Sequence, residues 1–118
     1  MLIVDDDELM LTIGTELLRA HGLEVLGSAD SVGSAIAGLQ RHDPDLVLVD
    51  HDLPDGSAAD VVPVLRALHP DVPVILWTGR PDIAERAQAL GVDAFVVKSE
   101  ASHTLVPQVC RLTHGRCC

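Results

Sequence analysis

Short aliphatic runs alternate along this chain with longer stretches of helical period. The runs are Leu2-Ile3-Val4, Leu23-Glu24-Val25-Leu26, Leu46-Val47-Leu48-Val49, Val72-Pro73-Val74-Ile75-Leu76-Trp77 and Phe95-Val96-Val97. Nearly continuous aliphatic runs are how strands buried on both faces of a parallel sheet read. Between them, apolar residues recur at i, i+3, i+4: Met10, Ile13, Leu17; Val32, Ala35, Ile36, Leu39; Val61, Val64, Leu65, Leu68; Ile83, Ala87, Leu90; and Leu105, Val109, Leu112. Each set predicts one face of an amphipathic helix. Gly22 and Gly91 read as helix stops, Ser31 as the cap of the second helix, and Pro81-Asp82 as the entry to the fourth. The pattern predicts (βα)5, an α/β three-layer sandwich in one domain, residues 1–118. Pro63 and Pro107 fall about a turn into the third and fifth helices, where each removes a backbone hydrogen bond. That predicts either late helix starts, capped by Asp60 and by Ser102 or Thr104, or kinks.

Composition narrows the class of function. A length of 118 residues fits one domain, and 18 Asp+Glu against 8 Lys+Arg leave a net charge of −10. So acidic a surface repels phosphate, which argues against direct nucleic-acid binding. A hydrophobic fraction of 47% and a mean hydropathy of +0.29 supply enough apolar side chain for a core. Trp77 and Phe95 are the only aromatics, so no base-stacking platform is expected. The three cysteines do not make a disulfide framework, the N-terminus runs straight into acids, and no run approaches the ~20 apolar residues of a membrane span. A soluble, cytoplasmic domain is expected.

In open α/β sheets, ligands bind beyond the carboxyl ends of the strands. This chain places Asp5-Asp6-Asp7 after the first strand, Asp50 after the third, Thr78-Gly79 after the fourth and Lys98 after the fifth. Carboxylates crowded together repel, and a hard divalent ion with oxygen ligands relieves them, Mg²⁺ being the natural candidate. An Asp beside Mg²⁺, with a Lys and a Thr to neutralise equatorial oxygens, is equipped to attack phosphorus.

Over essentially its whole length the chain resembles the receiver domain of two-component response regulators. The resemblance rests on Leu2-Ile3-Val4-Asp5-Asp6-Asp7, on Leu46 to Gly56 with Asp50-His51-Asp52-Leu53-Pro54-Asp55-Gly56, on Val74-Ile75-Leu76-Trp77-Thr78-Gly79 and on Gly91-Val92-Asp93-Ala94-Phe95-Val96-Val97-Lys98. It implies a flavodoxin-like, five-stranded parallel sheet in the order 2-1-3-4-5. It also implies that Asp50 takes a phosphoryl group from a sensor histidine kinase or histidine phosphotransfer domain. Asp5, Asp6, Asp50 and the main-chain carbonyl of Asp52 would hold Mg²⁺. Thr78 would be the switch hydroxyl, Lys98 the counter-cation and Phe95 the switch aromatic. Asp7 would instead serve the N-terminus of the first helix. Such a domain is no metabolic enzyme: it modifies itself, hydrolyses the product slowly and presents a surface to a downstream protein target.

Some positions depart from the family pattern. Ser99 follows Lys98 where the family has a proline in a cis peptide, which implies another path into the fifth helix. Ala94 replaces an Asp used in the dimer interface of a DNA-binding subfamily, so a monomer is expected before phosphorylation. Met1 almost adjoins the first strand residue, which leaves open a free-standing domain or one cut from a larger regulator or hybrid kinase. Two alternatives compete. Asp50-His51-Asp52 is similar to the aspartyl pair of haloacid-dehalogenase-type phosphohydrolases, although there the nucleophile belongs to the first strand and acidic ligands follow the Lys. The other is a phosphorylation-independent interaction module on the same fold. Trp77 reads most simply as core, and Cys110, His114, Cys117 and Cys118 as a helix end and tail with weak soft-metal spacing.

Overall fold

The computed structural model describes residues 1–84 and 86–113. In chain order the elements are β1 (Leu2–Val4), α1 (Glu8–Ala20), β2 (Gly27–Ala29), α2 (Val32–Arg41), β3 (Val47–Asp50), β4 (Asp52–Leu53), β5 (Gly56–Ser57), α3 (Ala58–Leu68), β6 (Val74–Thr78), α4 (Pro81–Ala84), β7 (Ala94–Val97) and α5 (Ala101–Leu112), with a 3-10 turn at Lys98–Glu100. Five strands form one parallel sheet in the order β2-β1-β3-β6-β7, and β4 and β5 form a separate antiparallel hairpin. With the hairpin set aside, this is the 2-1-3-4-5 order of the flavodoxin-like fold.

Alternation along the strands divides the core in two. Leu2, Val4, Val47, Val49, Val74 and Leu76 pack against α2, α3 and the segment around Ile83 and Ala87. Ile3, Leu48, Ile75, Trp77 and Val96 face the other way, against α1 and α5. Both faces of the central strands are therefore dry, which is why they read as unbroken aliphatic runs.

Several expectations are corrected. The second strand is Gly27–Ala29, not the aliphatic run Leu23 to Leu26. That run instead packs Leu23 and Val25 into the half of the core shared with α1 and α5, and Leu26 N–H donates to Met1 O at 2.8 Å. On α1 the core face is Gly14 and Leu18, flanked by Met10, Leu11 and Leu17, while Ile13 is exposed. Gly14 faces the sheet because a Cβ there would stand 3.0 Å from Trp77 Cη2: the missing side chain makes room for the indole. On α3, Val62 is buried and Leu68 exposed.

The prolines do not mark late starts. Ser57 caps α3 in a capping box with Asp60 and places Pro63 inside the helix; Pro107 likewise lies inside α5, which follows directly on the 3-10 turn. Ser31 does cap α2, and Gly22 (φ 76°) and Gly91 (φ 78°) take the left-handed conformation expected of stop signals. The fourth helix is a single turn. Beyond it Arg86 N–H donates to Ile83 O, and Leu90 N–H to Arg86 O and Ala87 O, so turns keep Ile83 and Ala87 inward without a continuous helix. No cis peptide occurs among the described residues. Cys110 is buried and disulfide-bonded, a bond that spacing did not suggest; His114, Cys117 and Cys118 lie outside the described residues.

Candidate functional site

At the carboxyl edge of the sheet the backbone stops pairing and side chains converge. Asp5 extends β1 by one rung, its N–H donating to Ala29 O at 2.9 Å, and is wholly buried. Its Oδ1 accepts from Asp7 N at 2.9 Å, and Asp7 Oδ1 accepts from Leu9 N at 2.9 Å as the cap of α1. Asp7 therefore belongs to the helix and not to the site, as expected. Asp50 ends β3 and is 6% exposed; Thr78 ends β6, one residue beyond Trp77, the register partner of Asp50. Lys98 leaves β7 and bridges both buried acids, its Nζ 2.6 Å from Asp5 Oδ2 and 3.0 Å from Asp50 Oδ2. The same ammonium lies 5.4 Å from the centroid of the Trp77 ring.

Charge does not balance in this crevice. Burial pushes the Asp50 carboxyl up to about 6; the Lys98 hydrogen bond pulls it back and the charge of Asp5 pushes it further. Burial lowers the Lys98 ammonium, but its hydrogen bonds and charge interactions with Asp5 and Asp50 outweigh that, and its pKa is raised. One lysine faces two buried carboxylates, and exposed Asp6 adds a third: oxygens of Asp5, Asp6 and Asp50 lie within 4.8 Å of one another. Asp5 Oδ2 is buried, and the Lys98 ammonium is its partner. Three clustered carboxylates against one ammonium, with Asp6 exposed on one side, offer a set of hard oxygen donors that fits a small divalent cation such as Mg²⁺.

The Asp52 side chain is turned elsewhere. Its Oδ1 lies 2.9 Å from His51 Nδ1 and its Oδ2 3.5 Å from Arg80 Nη1, and these partners, His51 first, hold its carboxyl below the usual range. Only its main-chain carbonyl remains a candidate ligand. Thr78 Oγ1 accepts from Arg80 N at 3.0 Å, which leaves the hydroxyl proton free to be donated. Phe95 stands apart from the cluster, half-exposed on edge strand β7 beside an open groove of about 810 Å³ that Val92, Glu100 and Thr104 also line. The sequence reading did not include Arg80 or the His51–Asp52 contact. A cation two residues beyond Thr78 was the available signal.

Likeness to known proteins points to one family. A family model described as response regulator receiver domain matches residues 1–109. The transcriptional regulatory protein PrrA of Mycobacterium tuberculosis is 32% identical over 118 residues, covering 98% of this chain and 50% of PrrA. The photosynthetic apparatus regulatory protein RegA of Cereibacter sphaeroides is 37% identical over 94 residues, covering 80% of this chain and 50% of RegA. This chain thus spans about half the length of the curated relatives it matches. Among solved structures, the response regulator protein TrrA of Thermotoga maritima, in complex with Mg²⁺-BeF, superposes with a TM-score of 0.85 at 27% identity, covering 94% of this chain and 96% of that one. Neither the phosphohydrolase nor the phosphorylation-independent alternative is favoured by these likenesses. Sequence model, strand order and neighbouring structures agree, and the chain belongs to the response-regulator receiver domain family.

Proposed function

We propose that this chain, acting as one receiver domain over residues 1–118, accepts a phosphoryl group from a phosphohistidine onto Asp50. The donor is a sensor histidine kinase or a histidine phosphotransfer domain. The observation that carries the reading is the Lys98 ammonium held between two buried carboxylates, 2.6 Å from Asp5 and 3.0 Å from Asp50. Asp50 contributes the attacking oxygen: a P–O bond forms, the P–N bond to the donor imidazole breaks, and its electron pair stays on nitrogen. Asp5, Asp6, Asp50 and the carbonyl of Asp52 would hold Mg²⁺, which when bound would supply positive charge to offset that on the transferring phosphoryl oxygens. Lys98 stays charged and contacts the same oxygens, while Thr78 donates its hydroxyl proton to one of them. Movement of Thr78 frees space into which Phe95 turns, which changes the surface offered to a downstream protein. The aspartyl phosphate then hydrolyses slowly.

No helix among the described residues is long and apolar enough to cross a membrane. We place the domain in the cytoplasm, as a monomer before phosphorylation. With a net charge of −10 it makes no direct contact with nucleic acid.

Acetyl phosphate with Mg²⁺ should add one acid-labile phosphoryl group, read by intact mass, and Asp50→Asn should abolish it. Labelling of the Asn variant as strong as that of the parent would overturn the assignment of Asp50. Metal binding is tested separately. Mg²⁺ at a hundredfold excess over its Kd should stabilise the fold by about 2.7 kcal/mol, because it binds the assembled cluster and not the unfolded chain. Asp6→Ala should remove most of that gain. A melting temperature of the parent that ignores Mg²⁺ at matched ionic strength would argue against the cluster as a metal site.

A further inference from the structure

Asp55 occupies the two-residue loop between β4 and β5, yet its carboxylate serves a different element. Its Oδ1 accepts from Val32 N at 2.7 Å and its Oδ2 from Gly33 N at 3.1 Å, across 23 and 22 residues of chain. These are the first two N–H groups of α2, which have no acceptor within the helix. The capping box satisfies the other two: Ser31 Oγ accepts from Ser34 N at 3.0 Å, and Ser34 Oγ accepts from Ser31 N at 3.1 Å. Helix and loop divide the four donors between them. The two backbone hydrogen bonds hold the Asp55 carboxyl below the usual carboxylate range.

The other end of this loop is the metal site. The hairpin begins at Asp52, and a pair this small does not hold its shape unaided. Leu53 is buried in the core, and Ala58 N–H donates to His51 O at 3.0 Å. The exit is tight as well, since a Cβ at Gly56 would collide with the Asp60 carboxylate that accepts from Ser57 N. Beyond these anchors, the Asp55 carboxylate adds a hydrogen-bonded tie from the hairpin tip to the neighbouring helix.

We propose that Asp55 is a positioning residue for the metal: by tying the β4–β5 hairpin to the first turn of α2, it holds the Asp52 carbonyl in place. Metal binding and the order of that first turn are thereby coupled. This rests on the reading above that Mg²⁺ binds among Asp5, Asp6, Asp50 and the Asp52 carbonyl.

The test compares Asp55→Ala with Asp55→Asn by calorimetric titration of Mg²⁺ into the full chain. Both variants lose the same negative charge, but Asn keeps an acceptor for one of the two N–H groups. Asp55→Ala should weaken Mg²⁺ binding about fivefold, and Asp55→Asn clearly less. Coupling is reciprocal, so Mg²⁺ should slow hydrogen exchange at Val32 and Gly33 in the parent, and not in Asp55→Ala. Equal weakening in both variants would mean that only the lost charge matters and would overturn the proposal. So would unchanged affinity in both, with the parent binding Mg²⁺ normally; the metal-site reading would survive either result. A parent that binds no Mg²⁺ would overturn both. If Asp55→Ala does not fold, the parent's exchange response to Mg²⁺ and the affinity of Asp55→Asn decide: a Mg²⁺-independent exchange rate at Val32 and Gly33 overturns the coupling.

Discussion

Trp77→Ala should lower the stability of this domain by about 3–5 kcal/mol, a drop in melting temperature of roughly 10–20 °C followed by far-ultraviolet circular dichroism. The indole is fully buried on β6, in the half of the core that joins the sheet to α1 and α5. α1 meets it with Gly14, so the helix position directly facing the ring has no side chain to fill the space it would leave. The loss therefore includes a cavity as well as the transfer of apolar surface. Trp77→Phe should cost much less. It keeps most of the ring and removes an indole N–H that is buried with no partner among the described residues. If the Ala variant melted within a few degrees of the parent, the core would not depend on this contact.

Asp50→Asn should be more stable than the parent at neutral pH without Mg²⁺. Asp50 titrates at about 6 in the folded protein, pushed up chiefly by burial, against a reference value of 3.8. The folded state therefore holds this proton more tightly than the unfolded chain. The resulting stabilisation is complete below about pH 4 and is lost as pH rises through about 6. The full linkage value is about 3 kcal/mol, and solvent on the open side of the site reduces it to about 1–2 kcal/mol. The Asn variant should exceed the parent by that amount at pH 7.5 and match it near pH 4. Denaturant unfolding of both proteins at the two pH values is the measurement, and their difference cancels the titration of the other carboxylates. A gap that fails to close toward acid pH would remove Asp50 as its source. A buried carboxylate poised in this way costs stability until a counter-charge arrives, an expected conflict at a functional site.

The elements that were legible in the sequence are those with the strongest physical signal. β1, β3 and β6 are buried throughout and aliphatic continuity marks them, while edge strand β7 keeps the apolar run Phe95-Val96-Val97 although only Val96 is buried. β2, the other edge strand, is built from Gly27-Ser28-Ala29 and carries no such run, while the more apolar Leu23 to Leu26 lies just before it. Periodicity reports which residues face inward, not which hydrogen bonds join them. Ile83 and Ala87 were placed on the correct side, although a single helical turn and successive bends do the work of a helix. Pro63 misled in the opposite direction, because a capping box and a buried face outweigh one missing backbone bond.

At the site, acids and a lysine at strand ends are visible as soon as the strands are. The division of Lys98 between two carboxylates is not, nor is the diversion of the Asp52 side chain to His51 and Arg80. The reach of Asp55 to α2 is equally hidden, since each of these joins residues that only the fold makes neighbours.

The ammonium 5.4 Å from the Trp77 ring has a use beyond packing. Indole emission shifts with the electric field across the ring, and Lys98 is a full charge whose position depends on how it is shared between Asp5 and Asp50. The chain contains one Trp and no Tyr, so no second fluorophore dilutes the signal. Occupancy of the acidic crevice should therefore be readable as a change in colour and brightness of the unlabelled protein, in real time and without a dye.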